Sequence, residues 1–366
     1  MNKIKSKNIC VFGLGYVGCV GIACLAEAGH KVIGVDINTA KVELVNNGIP
    51  TIVEPGLDDL LKKGVECGRV TATSNVDLAV IDSEILFITV GTPCKLNGEL
   101  DLSHIYSVAE SIGKIISQID EHLVIAIRST VKPNTCKKVA EIIEIHSGKK
   151  CNKDFSVVAN PEFLREGTAI QDYFNPPYVL IGASDKAGAD EVASIYENVN
   201  AEIINVDIKT AEIIKYVNNS WHALKVTFGN EVGSICKALN IDSNEVMDIF
   251  CKDIILNISA SYLRPGFAYG GACLPKDLSA LVALSSEANV STPLIDNICK
   301  SNEAHIERAL KLIERYKVET NIGFLGVSFK AGTDDLRNSP TLKIIHALIE
   351  AGYNVRIYDD TVSFAL

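Results

Sequence analysis

The stretch VFGLGYVG, Val11 to Gly18, decides the fold. It closes an apolar run, NICVF, opens a helical one, and sets Gly13, Gly15 and Gly18 in G-x-G-x-x-G order. Glycines in that order permit a tight strand-to-helix turn and let backbone amides approach a pyrophosphate at a helix N-terminus. Asp36 ends the next run, KVIGVD. A carboxylate there would accept a hydrogen bond from an adenosine ribose 2′-hydroxyl and so favour NAD over NADP. The glycine spacing alone is weak, because a structural glycine turn is its ordinary alternative. A strand before it, a helix after it and an acid on the next strand turn the reading to a dinucleotide site.

Outward from this turn, EILFITVGTP, HLVIAIRST and FSVVANPE are continuous apolar runs, with helical segments such as 101–119 between them. Strands buried on both faces and separated by helices predict an α/β fold with a parallel, Rossmann-type doubly wound sheet. Ligands of such sheets bind beyond the carboxyl ends of the strands. Three of those ends carry Gly91-Thr92-Pro93, Ser129-Thr130 and Asn160-Pro161-Glu162. Ordinary turn chemistry explains any one of them, and three on one edge point to a site. Residues 210–240 read as one long helix in a mainly helical middle. From Asn321 a strand, a loop, a helix and a strand open a second α/β domain, whose roughly 45 residues are too few to close a sheet of normal size. The expected division is an NAD-binding domain at 1–205, a central helical domain at 206–317 and the start of a truncated C-terminal domain at 318–366.

The chain has 366 residues, enough for two or three domains, with 47% hydrophobic and 22% charged residues. A net charge of -10 and no basic run beyond NKIKSK argue against a nucleic-acid surface. Eleven cysteines, with no C-x-x-C pair and no Cys/His cluster at zinc spacing, suit a reducing cytoplasm and no metal site. Lys3, Lys5 and Lys7 before an uncharged stretch at 9–26 imitate a signal peptide, but the glycines give that stretch another purpose. No other apolar stretch approaches the ~20 residues of a membrane span. The expectation is a soluble, cytoplasmic protein with no membrane partner.

Two further groupings carry chemistry. On the long helix Lys215, Asn219, His222 and Asn230 fall within about 80° of one another. They are either a solvated stripe or a pocket wall offering donors to an oxygen-rich ligand. In GGACLPKD, residues 270–277, Cys273 has glycines before it and Lys276 and Asp277 after it. A nearby cation favours the thiolate, so this cysteine could be a nucleophile, although a structural cysteine remains the commoner case.

The ordered phrases GLGYVG, VEPGL, VGTP, RST, NPEFLREGTAI, GGACLPKD and FKAGTDDLRNSP together resemble the nucleotide-sugar 6-dehydrogenases, the UDP-glucose/GDP-mannose dehydrogenase family, over essentially the whole chain. The resemblance implies a four-electron oxidation of a sugar C6 alcohol to a carboxylate, with two NAD reduced. Cys273 matches the family's nucleophile, which forms a thiohemiacetal and then a thioester. Lys215 and Asn219 match oxyanion-stabilising positions, and Thr130, Glu162 and Asp277 match positions that handle water and protons. Gly13, Gly15, Tyr16, Val17, Gly18, Asp36, Lys41, Thr92, Thr130, Lys276 and Arg337 fall at cofactor positions. Glu166, Lys215, Asn219, His222, Asn230, Tyr262, Arg264, Phe267, Gly270 and Lys330 fall where the nucleotide sugar is held. A homodimer through the central helical domain is implied as well.

KYVNNSWHALKVTFGNEVG, YLRPGFAYGG and FKAGTDDLR look most like the GDP-mannose branch, whose product GDP-mannuronate is an alginate precursor. UDP-glucose and UDP-N-acetylhexosamine are the other substrates to weigh. Ala272 stands where the family commonly has serine, and the C-terminal domain has only its first strand, helix and second strand. A two-electron hydroxyacid-type dehydrogenase and an inactive NAD-binding fragment are the competing expectations.

Overall fold

Short apolar runs form the central sheet, and its inner strands are buried on both faces. In chain order its strands are β1 (Asn8–Phe12), β2 (Lys31–Val35), β3 (Val70–Thr73), β4 (Ile85–Ile88), β5 (Leu123–Ile127), β6 (Phe155–Ala159), β7 (Tyr178–Gly182) and β8 (Glu202–Val206). Their order across the sheet is β3-β2-β1-β4-β5-β6-β7-β8. β1 lies between β2 and β4, with Cys10 opposite Ile33 on one side and Leu86 on the other. That is the topological switch point, where the chain winds to one side and then the other and a crevice opens for a ligand. The computed structural model describes residues 5–238, 240–254, 262, 265–287 and 292–362.

One join departs from the expected all-parallel pattern: β7 runs antiparallel to β6, paired at Ala159 and Gly182. Between them lies one short helix, Ala169–Phe174, and the chain turns back along the sheet instead of crossing over it. β7 and β8 are again parallel to each other.

The chain forms two compact units, Met1–Lys95 with Leu100–Lys215, and Leu96–Glu99 with Tyr216–Leu366. The stretch that imitates a signal peptide lies in the first unit's core. Ile9, Val11, Leu14, Val20, Ile22 and Leu25 pack there against Ile85, Phe87 and Val124. Burial of this much aliphatic surface, at about 25 cal/mol per Å2, is the main driving force for the unit. The buried cysteines Cys10, Cys19, Cys24 and Cys136 are free thiols and pack as small hydrophobes.

The second unit is mainly helical. It takes the C-terminal part of the helix Ile208–Ala238, then the helices Ser243–Phe250, Leu274–Glu287 and Pro293–Ile313. β9 (Asn321–Leu325) and β10 (Asn354–Tyr358) form a two-stranded parallel pair joined by the helix Pro340–Glu350. Ile344, Leu348 and Tyr353 of this piece pack with Ala268 and Ile306, which gives the short α/β segment a core within the helical unit. No helix among the described residues is long and apolar enough to cross a membrane.

Glu212, on the first turns of the long helix, is buried and accepts the amides of Asn134 and Cys136, both at 2.7 Å. Those are N-terminal donors of the helix Thr135–Ser147 that no side chain of its own N-cap satisfies. Glu212→Ala strands the buried Cys136 amide and the part-buried Asn134 amide. It is expected to lower stability by about 2–4 kcal/mol, read as a lower midpoint of the first unit's denaturant transition.

Candidate active site

The glycine turn is as tight as its sequence requires. Gly13 has φ +96°, and a Cβ there would sit 3.0 Å from the Val90 backbone. A side chain on Gly18 would collide with the Gly13 carbonyl. Above Gly15, by contrast, nothing lies within 4 Å of where a Cβ would stand. The helix Tyr16–Glu27 that follows has no side-chain cap and no acid in its first turn. An open cradle beneath uncapped helix amides fits a pyrophosphate. Asp36, just past β2, accepts the Leu14 and Asn38 amides at 2.8 and 2.9 Å, and Lys41 Nζ stands 3.8 Å from it. These bonds hold the carboxylate at the edge of the turn, where an adenosine ribose would be read. Thr92, past the end of β4, donates to the Thr130 carbonyl at 3.0 Å and so ties two strand ends together.

Tyr16 and Val17 open the helix that follows the turn, and Thr130 lies past the end of β5. The Tyr16 hydroxyl donates to Glu54, and its phenol is held well above the usual range by burial, then by Glu54 and Glu166. Tyr16 is therefore a neutral donor at every pH the protein meets.

Glu162, past β6, pairs with Lys215 at 3.0 Å, and both side chains are more than nine-tenths buried. Glu162 also accepts the Leu164 amide at 2.6 Å, and Lys215 lies over the Phe163 ring. Asn160 faces inward instead: its carbonyl accepts Arg128 and the Tyr196 hydroxyl, and its amide donates to the Leu180 carbonyl. It braces the strand end and offers nothing to a ligand.

In the second unit Cys273 is exposed at the start of the helix Leu274–Glu287, its carbonyl accepting the Asp277 amide at 2.8 Å. Amides and a partial positive charge at such a helix start favour a thiolate. Asp277 is fully buried and is held by Asn219 Nδ2 and by Lys276 Nζ, the latter at 2.6 Å. Asn219 is thereby fixed in one amide orientation, with its carbonyl and remaining proton to spare. A carboxylate so enclosed acts through Asn219 and Lys276 and not by touching solvent.

The loop before Cys273 is built from far along the chain. Gly270 would collide with the Asn338 carbonyl if it carried a side chain, and Gly271, at φ +85°, lies against the Phe329 ring. The Gly271 amide donates to the Arg337 carbonyl, and Asn338 Nδ2 donates back to Gly271. The phrase FKAGTDDLRNSP thus splints GGACLPKD. Arg337 is exposed and forked onto Asp335, with its Nη2 at 2.5 Å, and Lys330 is exposed.

The solvated-stripe alternative for the long helix fails, since Lys215, Asn219 and Asn230 are all buried. Asn230 accepts the Gly266 amide and donates to the Phe267 carbonyl, a loop-holding task that spacing did not disclose. His222 stacks on Tyr262, with ring centroids 5.2 Å apart. Phe267 is partly exposed against His305. Arg264 lies outside the described residues. The carboxylate that sequence reasoning passed over is Glu54: the phrase VEPGL marked it, but its partners lie 38 to 115 positions away.

A glycine turn at a sheet switch point, an acid beyond β2 and an open pyrophosphate cradle define an NAD-dependent oxidoreductase. The chain matches the UDP-glucose/GDP-mannose dehydrogenase family in its NAD binding domain at residues 7–200, its central domain at 209–304 and its UDP binding domain at 323–365. It is 48% identical to a GDP-mannose 6-dehydrogenase of Pseudomonas putida over 359 residues, 98% of this chain and 82% of that one. A UDP-glucose 6-dehydrogenase of Bacillus subtilis is 36% identical over 96% of this chain and 76% of its own length. The structure of a UDP-glucose dehydrogenase from Pyrobaculum islandicum superposes with a TM-score of 0.94 at 33% identity, covering 99% of this chain and 83% of that one. This chain belongs to the UDP-glucose/GDP-mannose dehydrogenase family. It is a nucleotide-sugar 6-dehydrogenase, and its cofactor is NAD.

Gly18→Ala forces the helix start away from the Gly13 carbonyl. Calorimetric titration is expected to show NAD binding weakened at least about tenfold, because the pyrophosphate cradle no longer closes.

Proposed function

We propose that this enzyme oxidises the C6 alcohol of GDP-mannose to the carboxylate of GDP-mannuronate, with Cys273 as covalent nucleophile. The observation that carries this reading is an exposed thiol at a helix start, one turn before a buried aspartate that Asn219 and Lys276 enclose. Identity supports the sugar nucleotide: 48% to the GDP-mannose enzyme against 36% to the UDP-glucose enzyme.

When bound, NAD supplies the hydride acceptor, once for each of the two oxidations. Gly13, Gly15, Gly18, Tyr16, Val17, Asp36, Lys41, Thr92 and Thr130 are assigned to hold it, with Lys276 and Arg337. The first oxidation takes a hydride from C6 and a proton from its hydroxyl, leaving an aldehyde. The Cys273 thiolate adds to that carbon, and its oxygen becomes an alkoxide stabilised by Lys215 and Asn219. Loss of the second hydride converts the adduct to a thioester. Water, handled by Glu162 and Thr130, adds to the thioester carbonyl, the C–S bond breaks, and carboxylate and thiolate are released. Covalent capture keeps the aldehyde in place between oxidations, and preorganised donors lower the barrier wherever negative charge builds on oxygen. Asp277 keeps Asn219 in its productive amide orientation. Glu166, His222, Asn230, Tyr262, Arg264, Phe267, Gly270 and Lys330 are assigned to the sugar nucleotide.

The same reading puts the enzyme in the cytoplasm, supplying uronate for an alginate-type polysaccharide. It also makes the enzyme a homodimer. Val217, Trp221 and Phe228 are 47%, 43% and 43% exposed at i, i+4 and i+11 of one helix, an apolar stripe suited to a second copy.

Counting NADH per sugar with GDP-mannose, UDP-glucose and a UDP-N-acetylhexosamine tests the chemistry. Expected are two NADH per GDP-mannose, a kcat/KM at least about tenfold lower with the UDP sugars, and loss of turnover in Cys273→Ala. One NADH per sugar would instead mean a two-electron dehydrogenase, and NAD binding without turnover an inactive fragment. Sedimentation of Trp221→Glu is expected to shift the protein from dimer to monomer.

A further inference from the structure

Glu54 is 3% exposed and is a buried carboxylate that the reaction scheme leaves unused. It sits in VEPGL, where Gly56 at φ +80° turns the chain into the helix Leu57–Glu66, and the Glu54 carbonyl accepts the Leu57 amide at 3.1 Å. One of its oxygens accepts the Tyr16 hydroxyl and the Gly167 amide, the second bond at 2.7 Å. The other accepts the Ala169 amide at 2.7 Å. Tyr16 is the first residue of the NAD helix, and Gly167 and Ala169 end the loop that Glu162 begins.

That loop is pinned at other points as well. Glu162 is tied to Lys215 and to the Leu164 amide. Arg165 is forked onto Asp172, which also takes the Arg165 amide and the Thr168 hydroxyl. Gly167 adopts φ +86°, a conformation that glycine reaches without a Cβ penalty, and its amide is fastened to Glu54. Released at Gly167 and Ala169, the loop loses the hydrogen bonds by which Glu54 couples it to the Tyr16 hydroxyl.

We propose that Glu54 is a positioning residue, holding the 160–169 loop, and with it Glu162, in register with the first turn of the NAD helix. The proposal rests on the role given above to Glu162. Three charge-assisted or neutral hydrogen bonds to one buried carboxylate make a short, stiff link between the cofactor turn and the loop. Glu54→Gln keeps size and shape but turns one oxygen into an NH2 that must face an N–H or O–H donor.

The test is a double-mutant cycle of Glu54→Gln with Glu162→Gln, with melting temperatures to verify folding. Glu54→Gln is expected to lower kcat about 10- to 100-fold. The double variant should fall no more than about threefold below the slower single one, because a misplaced Glu162 and a missing one fail alike. Losses that multiply, or an unchanged kcat in Glu54→Gln, overturn the proposal. Hydrogen exchange of the 160–174 peptide gives a readout independent of turnover: at least about tenfold faster exchange at Gly167 and Ala169 supports the link, and native protection overturns it. Should Glu162→Gln keep full activity, the role of Glu162 fails, and exchange still decides for or against the Glu54 link. If Glu54→Gln does not fold, Tyr16→Phe enters the same cycle, with an expected loss of about 3- to 10-fold.

Discussion

The carbonyl of Gly13 occupies the space in which a side chain at position 18 would have to stand. That crowding lets the first helix begin directly against the end of β1. Thr89, at the end of β4, donates its hydroxyl to the carbonyls of Phe12 and Gly13, so the neighbouring strand is locked to the same turn. With its sides so filled, the turn keeps one opening, above Gly15, and the uncapped helix amides face it. That opening is what the packing at Gly13 and Gly18 leaves free.

Elsewhere the constraint is the burying of charge. Lys215 with Glu162, and Asp277 with Asn219 and Lys276, are enclosed in their separate units and hold each other in place. Such groups add little to stability, because losing water offsets most of their attraction. What they supply is donors and acceptors already pointed in one direction, which is the requirement for stabilising charge that appears during a reaction. The loops that carry them are braced in the same way, by Asn230 on Gly266 and Phe267 and by Asn338 on Gly271.

Much of this was legible in the residues. Continuous apolar runs marked β1, β2, β4, β5 and β6, and the helical period marked the long helix, because those patterns depend only on which faces are buried. The glycine turn and Asp36 were legible because backbone approach and ribose recognition each admit few residue types. The reversal at β7 was not: an apolar run reads the same in either direction, and only hydrogen-bond register sets its sense. Glu54, Asn160 and Asn230 were not legible as braces, since their partners are dozens of positions away and a short polar side chain near a turn has many ordinary uses.

By itself the sequence determined the class of fold and the cofactor, since each rests on local spacing or on phrases long enough to mark a family. Only the tertiary structure decided which polar residues are buried, which carboxylates are partnered, and which loops are splinted by remote segments. The physical reason is that burial and pairing belong to contacts across space. Lys215 reads alike on a solvated helix and in a closed pocket until Glu162 is seen 3.0 Å away.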